Sequence, residues 1–255
     1  MEYFVTRETA VIVGVTGAFG QVIAKTLLGR GLNVVGVARD GDALERVKAD
    51  CGEGFVSCVA DIGSDEAIAS IKGALPEGDV ATVVHSVGLP VAGGVLNAPP
   101  DALALACNLK VSGFLRLVRA CEDRMRRGSR LVAIGGHYGF EPSPYAATAG
   151  VANAALANLV RQMSWGYGER GITAHLLAPG PADTDRLRKV AAARAERAGK
   201  PLDEEYEEMR GESAIGSFTT PEQVAWAVSM LLAPEADALA GSTLGLDSGR
   251  RKGIG

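Results

Sequence analysis

Short apolar segments rich in Val, Ile and Leu recur along the chain, and stretches with the period of an amphipathic helix separate them. The predicted strands are Ala10–Val13, Asn33–Ala38, Phe55–Ala60, Thr82–His85, Arg130–Ile134, Thr173–Leu177 and Ser242–Leu246. The predicted helices are Gly20–Arg30, Ala43–Ala49, Asp65–Ala74, Pro100–Arg126, Thr148–Tyr167 and Pro221–Leu232. Strands that are apolar on both faces and alternate with helices predict a parallel sheet covered on both sides. We therefore expect a three-layer, doubly wound α/β fold.

One stretch, residues 183–217, departs from this alternation. It is charged and helix-prone, and it contains KVAAARAERAGKPLDEEYEEMR. Because it is too short to hold a core of its own, we interpret it as an insertion within a single domain. It is either a solvated charged hairpin or a mobile lid over a ligand.

Composition narrows the class of partner. The chain has 255 residues, 47% of them hydrophobic, and a net charge of −4. This mild acidity argues against nucleic acid as the main partner. No apolar run approaches the ~20 residues that span a bilayer, and the N-terminal MEYFVTRETA has no apolar signal core. We expect a cytoplasmic protein that acts on a small molecule and binds neither membrane nor nucleic acid.

The cysteines and histidines do not form a metal-binding pattern. No cysteine belongs to a CxxC pair, and the histidines do not cluster with the cysteines in the sequence. We expect reduced structural thiols and no metal. The residues concerned are Cys51, Cys58, Cys107, Cys121, His85, His137 and His175.

A glycine-rich turn follows the first predicted strand directly and opens the first helix. Glycines let the backbone turn tightly and approach a pyrophosphate, and the helix N-terminus offers free N–H groups to phosphates. A glycine triplet alone is a weak signal, but here a strand precedes it and a helix follows. We expect the turn to bind a dinucleotide through Gly14, Thr16, Gly17, Phe19 and Gly20.

From this turn onward the chain resembles the short-chain dehydrogenase/reductase family over essentially its whole length. The glycine spacing matches the GxxGxxG of the family's extended branch, whereas Ala18 replaces the middle glycine of its TGxxxGxG form. Later segments follow in the family's order, up to TTPEQV and GSTLGLDSG near the C-terminus. The resemblance implies a Rossmann-type fold and cofactor contacts from Asp61, Ile62, Ser86, Val87, Gly88, Asn108, Pro179 and Gly180. In the family, Asp61 and Ile62 would hold the adenine, and Pro179, Gly180 and Thr184 the nicotinamide carboxamide.

The end of the second strand decides which dinucleotide is preferred. An acid there binds the ribose hydroxyls of NAD, whereas an arginine binds the 2′-phosphate of NADP. In the family's register Ala38 takes the place of the acid and Arg39 follows it. We expect NADP(H) in preference to NAD(H), with Asp40 leaving NAD(H) as the alternative.

The family's Ser-Tyr-Lys catalytic set is absent in the register that fits best. Counting back from Pro179 without gaps places the family's tyrosine at Ala149 and its lysine at Asn153, and the serine falls on Gly136. None of these residues replaces an ionisable proton donor. Of the family's extended tetrad, the resemblance leaves Asn108.

Two side chains are candidates for the missing acid. Tyr145 lies one helical turn ahead of Ala149, and His137 follows the strand end directly. The alternative for each is a packing or hydrogen-bonded structural role. Small residues at the lost positions predict a roomy apolar cavity. The substrate contacts are assigned to Gly136, Tyr138, Ser143 and Ala149.

Three functions remain open from the sequence. The first, which we favour, is an NADPH-dependent ketoreductase that transfers hydride to a large apolar, aromatic-polyketide-like ketone without the tyrosine acid. The second is a non-redox enzyme such as a cyclase, dehydratase or isomerase, and the third is a non-catalytic ligand sensor. The resemblance also implies a homodimer or homotetramer built on Pro100–Arg126 and Thr148–Tyr167.

Overall fold

A computed structural model of the chain describes residues 7–90 and 93–253. Residues 1–6 of the N-terminal stretch considered above lie outside the described residues. A seven-stranded parallel sheet forms the centre, in the order β3-β2-β1-β4-β5-β6-β7. The strands are β1 (Thr9–Val13), β2 (Asn33–Ala38), β3 (Phe55–Val59), β4 (Val80–His85), β5 (Arg130–Ile134), β6 (Thr173–Pro179) and β7 (Thr243–Leu246). The predicted strands and the parallel sheet are confirmed.

Nine α-helices connect the described strands. They are α1 (Ala18–Gly29), α2 (Gly41–Cys51), α3 (Glu66–Ala74), α4 (Pro100–Cys107), α5 (Gly113–Cys121), α6 (Ala147–Gly168), α7 (Asp185–Ala198), α8 (Leu202–Gly211) and α9 (Pro221–Met230). Short 3₁₀ turns lie at Glu122–Arg124, His137–Gly139 and Pro234–Leu239. In the described part of the chain, no helix is long and apolar enough to cross a membrane.

Two apolar layers enclose the sheet. On one face, side chains of α1, α2 and α9, such as Ile23, Leu44 and Val224, pack against the strands. On the other face, α5 and α6 contribute Phe114 and Leu156. Burial on both faces explains why the strands are apolar without alternation. The three-layer, doubly wound fold expected from the sequence is confirmed.

The predicted helix Pro100–Arg126 is not continuous. A π-helical segment, Asn108–Ser112, separates α4 from α5. A π turn holds one residue more than an α turn and often marks a functional site. Apolar periodicity does not reveal it, because both flanking helices keep an apolar face. The extra residue changes which side chains of this segment point toward the sheet.

The insertion at residues 183–217 forms the two helices α7 and α8. Its base is closed by a bridge between Ala182 and Thr219. Its helices bury a small apolar cluster together with Phe218, the residue that follows the insertion. The members are Leu187, Ala191, Met209 and Phe218, with Tyr206 packed against them.

Candidate active site

The strand order reverses between β2 and β4, which both pair with β1. Loops that leave neighbouring strands in opposite directions open a crevice at the carboxyl ends of a parallel sheet. A cleft of about 360 Å³ lies there. Nine predicted cofactor residues line it: Gly14, Thr16, Gly17, Arg39, Asp61, Ile62, Ser86, Val87 and Gly88.

In the glycine turn, backbone without side chains forms the floor of this cleft. Gly14 has a φ of +80°, and a Cβ built on it would lie 2.6 Å from the carbonyl oxygen of Ser86. A Cβ on Gly20 would lie 2.6 Å from Cα of Val15, so the helix could not approach the strand. Gly17 begins α1 without a side-chain cap, which leaves the first N–H groups of the helix without partners inside it. This cradle fits a pyrophosphate.

Phe19 does not line the cleft, although it belongs to the same turn. Its ring packs against the apolar layer that α1 and α9 form on the sheet. The Gln21 side chain instead supports the turn by donating from Nε2 to the carbonyl oxygen of Thr16, at 2.8 Å. The predicted cofactor contact of Phe19 is therefore limited to its backbone N–H, because its side chain lies outside the cleft.

Arg39 and Asp40 have separate roles at the end of β2. The Asp40 carboxylate caps α2 by accepting a hydrogen bond from the Ala43 N–H, with an Oδ1–N distance of 2.9 Å. An acidic side chain at a helix N-terminus is well satisfied. Arg39 is exposed and lines the cleft. Asp40, the acidic residue that kept NAD(H) as the alternative coenzyme, thus caps its own helix.

Asn108 supports a loop and does not line the cleft. Its Nδ2 donates to the carbonyl oxygen of Gly63 at 2.8 Å, and its Oδ1 accepts from Arg116 at 2.9 Å. These bonds hold the loop after β3, where Asp61 Oδ1 accepts from the Gly63 N–H at 2.9 Å. The expected direct contact of Asn108 with the cofactor is not what the geometry shows, because the π segment turns this side chain toward the β3 loop.

At the end of β5 the chain packs closely against α6. A Cβ on Gly139 would lie 2.9 Å from the backbone carbon of Asn153, and a Cβ on Gly136 would lie 3.0 Å from Asn153 Nδ2. Asn153 is buried, and its Oδ1 has no hydrogen-bond donor in the described part of the chain. Gly136 and Asn153 are therefore neighbours, as the register predicts.

Ala149 belongs to an apolar cluster beside this site. It packs with Leu89, Ala106 and Ala152. Leu89 also lines the cleft. The apolar part of the cleft wall therefore lies at Leu89, and Ala149 belongs to the cluster around it.

His137 is buried at the start of the loop after β5. Burial, reinforced by the charge of Arg250, lowers the pKa of its imidazole to about 4. The ring donates a hydrogen bond to the carbonyl oxygen of Pro179 and lies against Tyr138, with a centroid distance of 4.0 Å. A neutral imidazole with these contacts favours a structural role over that of a proton donor near pH 7.

The segment after β6 lies behind His137. Pro179 ends the strand, and a Cβ on Gly180 would lie 3.0 Å from Cα of Asp247 in the C-terminal segment. Neither residue is in the wall of the described cleft. Tyr138, a predicted substrate residue, is hydrogen-bonded to Arg250 of the same C-terminal segment.

Tyr145 lies on the surface. Its side chain is 77% exposed, and its N–H donates to Ser143 Oγ at 3.3 Å. Tyr145 belongs to a turn that precedes α6, since the helix begins at Ala147. This exposed position does not support Tyr145 as the missing acid, and the Ser143 hydroxyl group is used in the turn.

The residue that sequence reasoning missed is Lys110. It lies in the π segment and is 6% exposed, and its Nζ donates to the carbonyl oxygen of Ile134 at 2.7 Å. Burial lowers the pKa of its ammonium group to about 8. The available signal was a lysine between Leu109 and Val111 in an apolar helical stretch.

Within residues 7–90 and 93–253, no three His, Cys, Asp or Glu side chains group in a way that could hold a metal ion. The four cysteines are unpaired.

Comparison with known proteins identifies the family of the chain. Residues 14–251 match the family model described as Enoyl-(Acyl carrier protein) reductase. A relative from Xanthobacter autotrophicus, "Inactive 2-(S)-hydroxypropyl-CoM dehydrogenase 2", is 28% identical over 89% of this chain and 98% of its own. The 3-oxoacyl-[acyl-carrier-protein] reductase of Salmonella typhimurium is 26% identical over 95% and 96%.

Solved structures superpose closely on the fold. Actinorhodin polyketide ketoreductase with NADPH has a TM-score of 0.88 at 21% identity and covers 97% of this chain and 98% of its own. L-sorbose reductase from Gluconobacter frateurii with NADPH and L-sorbose has a TM-score of 0.89 at 22% identity, with 100% of both chains covered. The chain belongs to the short-chain dehydrogenase/reductase family, and thus to a family of NAD(P)-dependent oxidoreductases.

Proposed function

We propose that the protein is a ketoreductase that uses NADPH. The observation that carries the proposal is the cleft at the strand-order reversal, with the bare glycine cradle at one end and Arg39 at the other. An arginine fork binds the 2′-phosphate that distinguishes NADP from NAD. The Oδ1 atom of Asp40 caps its own helix, which favours Arg39 as the residue that meets the ribose end of the coenzyme. NADPH is present in the structures of two relatives of the same fold.

We place the reacting ketone near the carboxyl end of β5 and call this part of the cleft the reaction end. Its residues support reduction without a tyrosine as general acid. Reduced NADP supplies the hydride when it is bound. This chain's residues supply the alignment: the loop after β5 lies firmly on α6, and the cleft wall at Leu89, in the cluster that includes Ala149, is apolar. Alignment alone is worth roughly 7–11 kcal/mol, whereas a lost general acid costs about 10²–10⁴-fold in rate. We propose that Gly136, Ala149 and Asn153 stand at the family's Ser, Tyr and Lys positions.

An apolar wall and a small residue at the lost tyrosine position favour a bulky ketone. We propose a large apolar substrate with an aromatic polyketide character, whose acidic hydroxyl groups could supply the proton. One relative of the same fold is a polyketide ketoreductase. The two-helix insertion, α7 and α8, lies directly after β6 and is proposed to act as the lid over this substrate.

Coenzyme affinity tests the first part of the proposal. Isothermal titration of the wild type should show NADPH binding more tightly than NADH. Arg39→Ala should weaken NADPH binding on the order of tenfold to a hundredfold, because a charge-assisted hydrogen bond is worth about 1.5–3 kcal/mol, and should leave NADH binding unchanged. Arg7→Ala, an exposed arginine before β1, is the matched control. Equal affinity for both coenzymes in wild type and Arg39→Ala would refute the preference.

Turnover tests the second part. A panel of aromatic ketones and quinones is mixed with NADPH and the protein, and loss of reduced coenzyme is followed with product analysis. Reduction of the bulky members, with little activity on small aliphatic ketones, is expected. Reduction of small ketones alone would contradict the proposed substrate class.

One observation favours a second candidate function. The relative from Xanthobacter autotrophicus carries the description "inactive". A family member that binds a dinucleotide without reducing a ketone would act as a ligand sensor or catalyse a non-redox step. Tight NADPH binding with no turnover on any ketone would select this alternative.

We also propose that the protein assembles into a homodimer or homotetramer through α4, α5 and α6. Leu105, Val151 and Trp165 are large apolar side chains exposed on these helices. Exposed apolar patches on helix faces are typical of subunit contacts. Light scattering after size exclusion should show a dimer or tetramer, and Trp165→Glu should lower the mass.

A further inference from the structure

Lys110 is a buried cation with few stabilising partners. In the described part of the chain its Nζ has one hydrogen-bond acceptor, the Ile134 carbonyl oxygen, and it has no carboxylate partner. The charged and titratable groups that face it are His85 on β4 and Arg186 on α7, and neither is an anion. Burying an unpaired charge costs several kcal/mol. A neutral donor would bond the same carbonyl without that cost.

The position of Lys110 explains why the charge is kept. The side chain extends from the middle of the π segment to the carboxyl end of β5, where the ligand cleft of this fold lies. Ile134 is followed two residues later by Gly136, which touches Asn153. The buried Oδ1 of Asn153, with no donor in residues 7–90 and 93–253, is therefore near the same strand end. A buried cation and an unused acceptor thus both lie near the carboxyl end of β5.

We propose that Lys110 supplies, from the π segment, the positive charge that the family's lysine would supply from the position of Asn153. This inference rests on the proposed function. Hydride adds to the ketone carbon, the carbonyl electron pair moves to the oxygen, and the ammonium group stabilises that negative charge before the oxygen takes a proton from substrate or solvent. Lys110 acts through its charge, because a fixed charge in a water-poor site acts strongly on charge that develops during a reaction.

Coenzyme binding reports on this charge without any turnover. The oxidised nicotinamide ring carries a positive charge and the reduced ring does not, so a nearby ammonium group disfavours NADP⁺ relative to NADPH. Lys110→Met should therefore strengthen NADP⁺ binding relative to NADPH, on the order of tenfold for charges within several ångströms. Isothermal titration at pH 7 with both coenzymes measures the ratio. Lys72→Met, which removes an exposed lysine on α3, should leave the ratio unchanged.

A relocation variant and a pH series complete the test. Lys110→Asn combined with Asn153→Lys returns the ammonium group to the family's position and should restore the wild-type affinity ratio. In the wild type the ratio should approach that of Lys110→Met as pH rises above about 8, the pKa that burial gives Lys110. Burial lowers the pKa of His85 to about 3, so this imidazole stays neutral in that range and does not produce the change.

The outcomes separate this inference from the proposed function. An unchanged NADPH to NADP⁺ ratio in Lys110→Met overturns the role of Lys110 and leaves the coenzyme assignment standing. Absence of binding of either coenzyme to the wild type overturns both. A circular dichroism spectrum of each variant checks that it is folded, and Lys110→Met alone decides the question where the relocation variant does not fold.

Discussion

Two basic side chains are buried at opposite ends of β5, and they are held in different ways. Arg130 begins the strand and is 1% exposed, whereas Lys110 contacts the strand's last residue and is 6% exposed. Arg130 lies at the amino end of the parallel sheet and Lys110 at the carboxyl end. Ligands bind at the carboxyl end of such a sheet, so residues at its amino end can contribute to stability alone.

Arg130 is fully satisfied. Nε donates to the carbonyl oxygen of Leu231 at 2.7 Å, Nη2 to that of Ala233 at 3.1 Å, and Nη1 to Thr173 Oγ1 at 3.1 Å. The Asp237 carboxylate lies 2.8 Å from Nη1. These acceptors include the last carbonyls beyond α9, so the guanidinium fixes that helix end to the sheet. A buried charge with this many partners is a structural device.

Lys110 has the opposite character. One backbone carbonyl binds it, and the neighbouring side chains add no negative charge. Burial of a cation alone therefore does not indicate its role. The number and the charge of its partners indicate whether it is structural. We expect removal of the two charges to change stability in opposite directions.

Replacing Arg130 should have the largest effect. Arg130→Met leaves buried carbonyls without a donor and should lower the free energy of unfolding by about 3 kcal/mol, at the low end for a broken buried ion pair because Asp237 is 65% exposed. Urea denaturation measures this. Arg126→Met, at the same end of the sheet but with its side chain 53% exposed, should cost less than about 1 kcal/mol. Similar losses in the two variants would contradict the structural role of Arg130.

Replacing Lys110 should stabilise the protein without its coenzyme. Lys110→Met removes an unpaired buried charge and keeps the volume of the side chain, so the free energy of unfolding at pH 7 should rise by about 2 kcal/mol. The same denaturation experiment measures it, with Lys72→Met as the exposed control. A marked loss of stability in Lys110→Met would show that the lysine is structural, as Arg130 is.

The stabilisation by Lys110→Met should fade at high pH. The pKa of Lys110 falls from its ordinary 10.5 to about 8 in the folded state, because burial penalises the charged form. Between these values the unfolded chain holds the extra proton, so wild-type stability gains with rising pH. Below about pH 8 the full penalty of the buried charge applies. The difference between variant and wild type should therefore shrink from pH 8 to 10.5, and a constant difference would contradict a buried ammonium group.

The sequence predicts the strands of the sheet and the glycine turn well. Apolar runs identify the seven strands because burial on both faces of the sheet demands them. The glycine turn predicts the floor of the cleft because Gly14 and Gly20 have no room for a side chain. These features depend on neighbours in the chain or on one backbone contact, which pattern and spacing capture.

The reaction end was harder to predict, because it depends on contacts between distant segments. The π turn rotates the helix after α4, so Asn108 faces the β3 loop and Lys110 faces the strand end. Tyr145 falls in a turn, and burial makes His137 neutral. One additional residue in a helical turn, or the burial of one ring, changes the chemistry without changing the apolar pattern.

The smallest effect should come from a matched pair of variants at Gly136. Its extended backbone, with φ of 174°, accepts any side chain, but a new Cβ would lie 3.0 Å from Asn153 Nδ2. Gly136→Ala should therefore destabilise slightly through crowding. Gly136→Ser adds a hydroxyl group that can donate to the unused Oδ1 of Asn153, so it should be more stable than Gly136→Ala by about 1 kcal/mol. Thermal denaturation of the pair measures the difference. Equal stability of the alanine and serine variants would show that Asn153 Oδ1 finds its donor elsewhere, and the carboxyl end of β5 would then lack the open acceptor that sets Lys110 apart from Arg130.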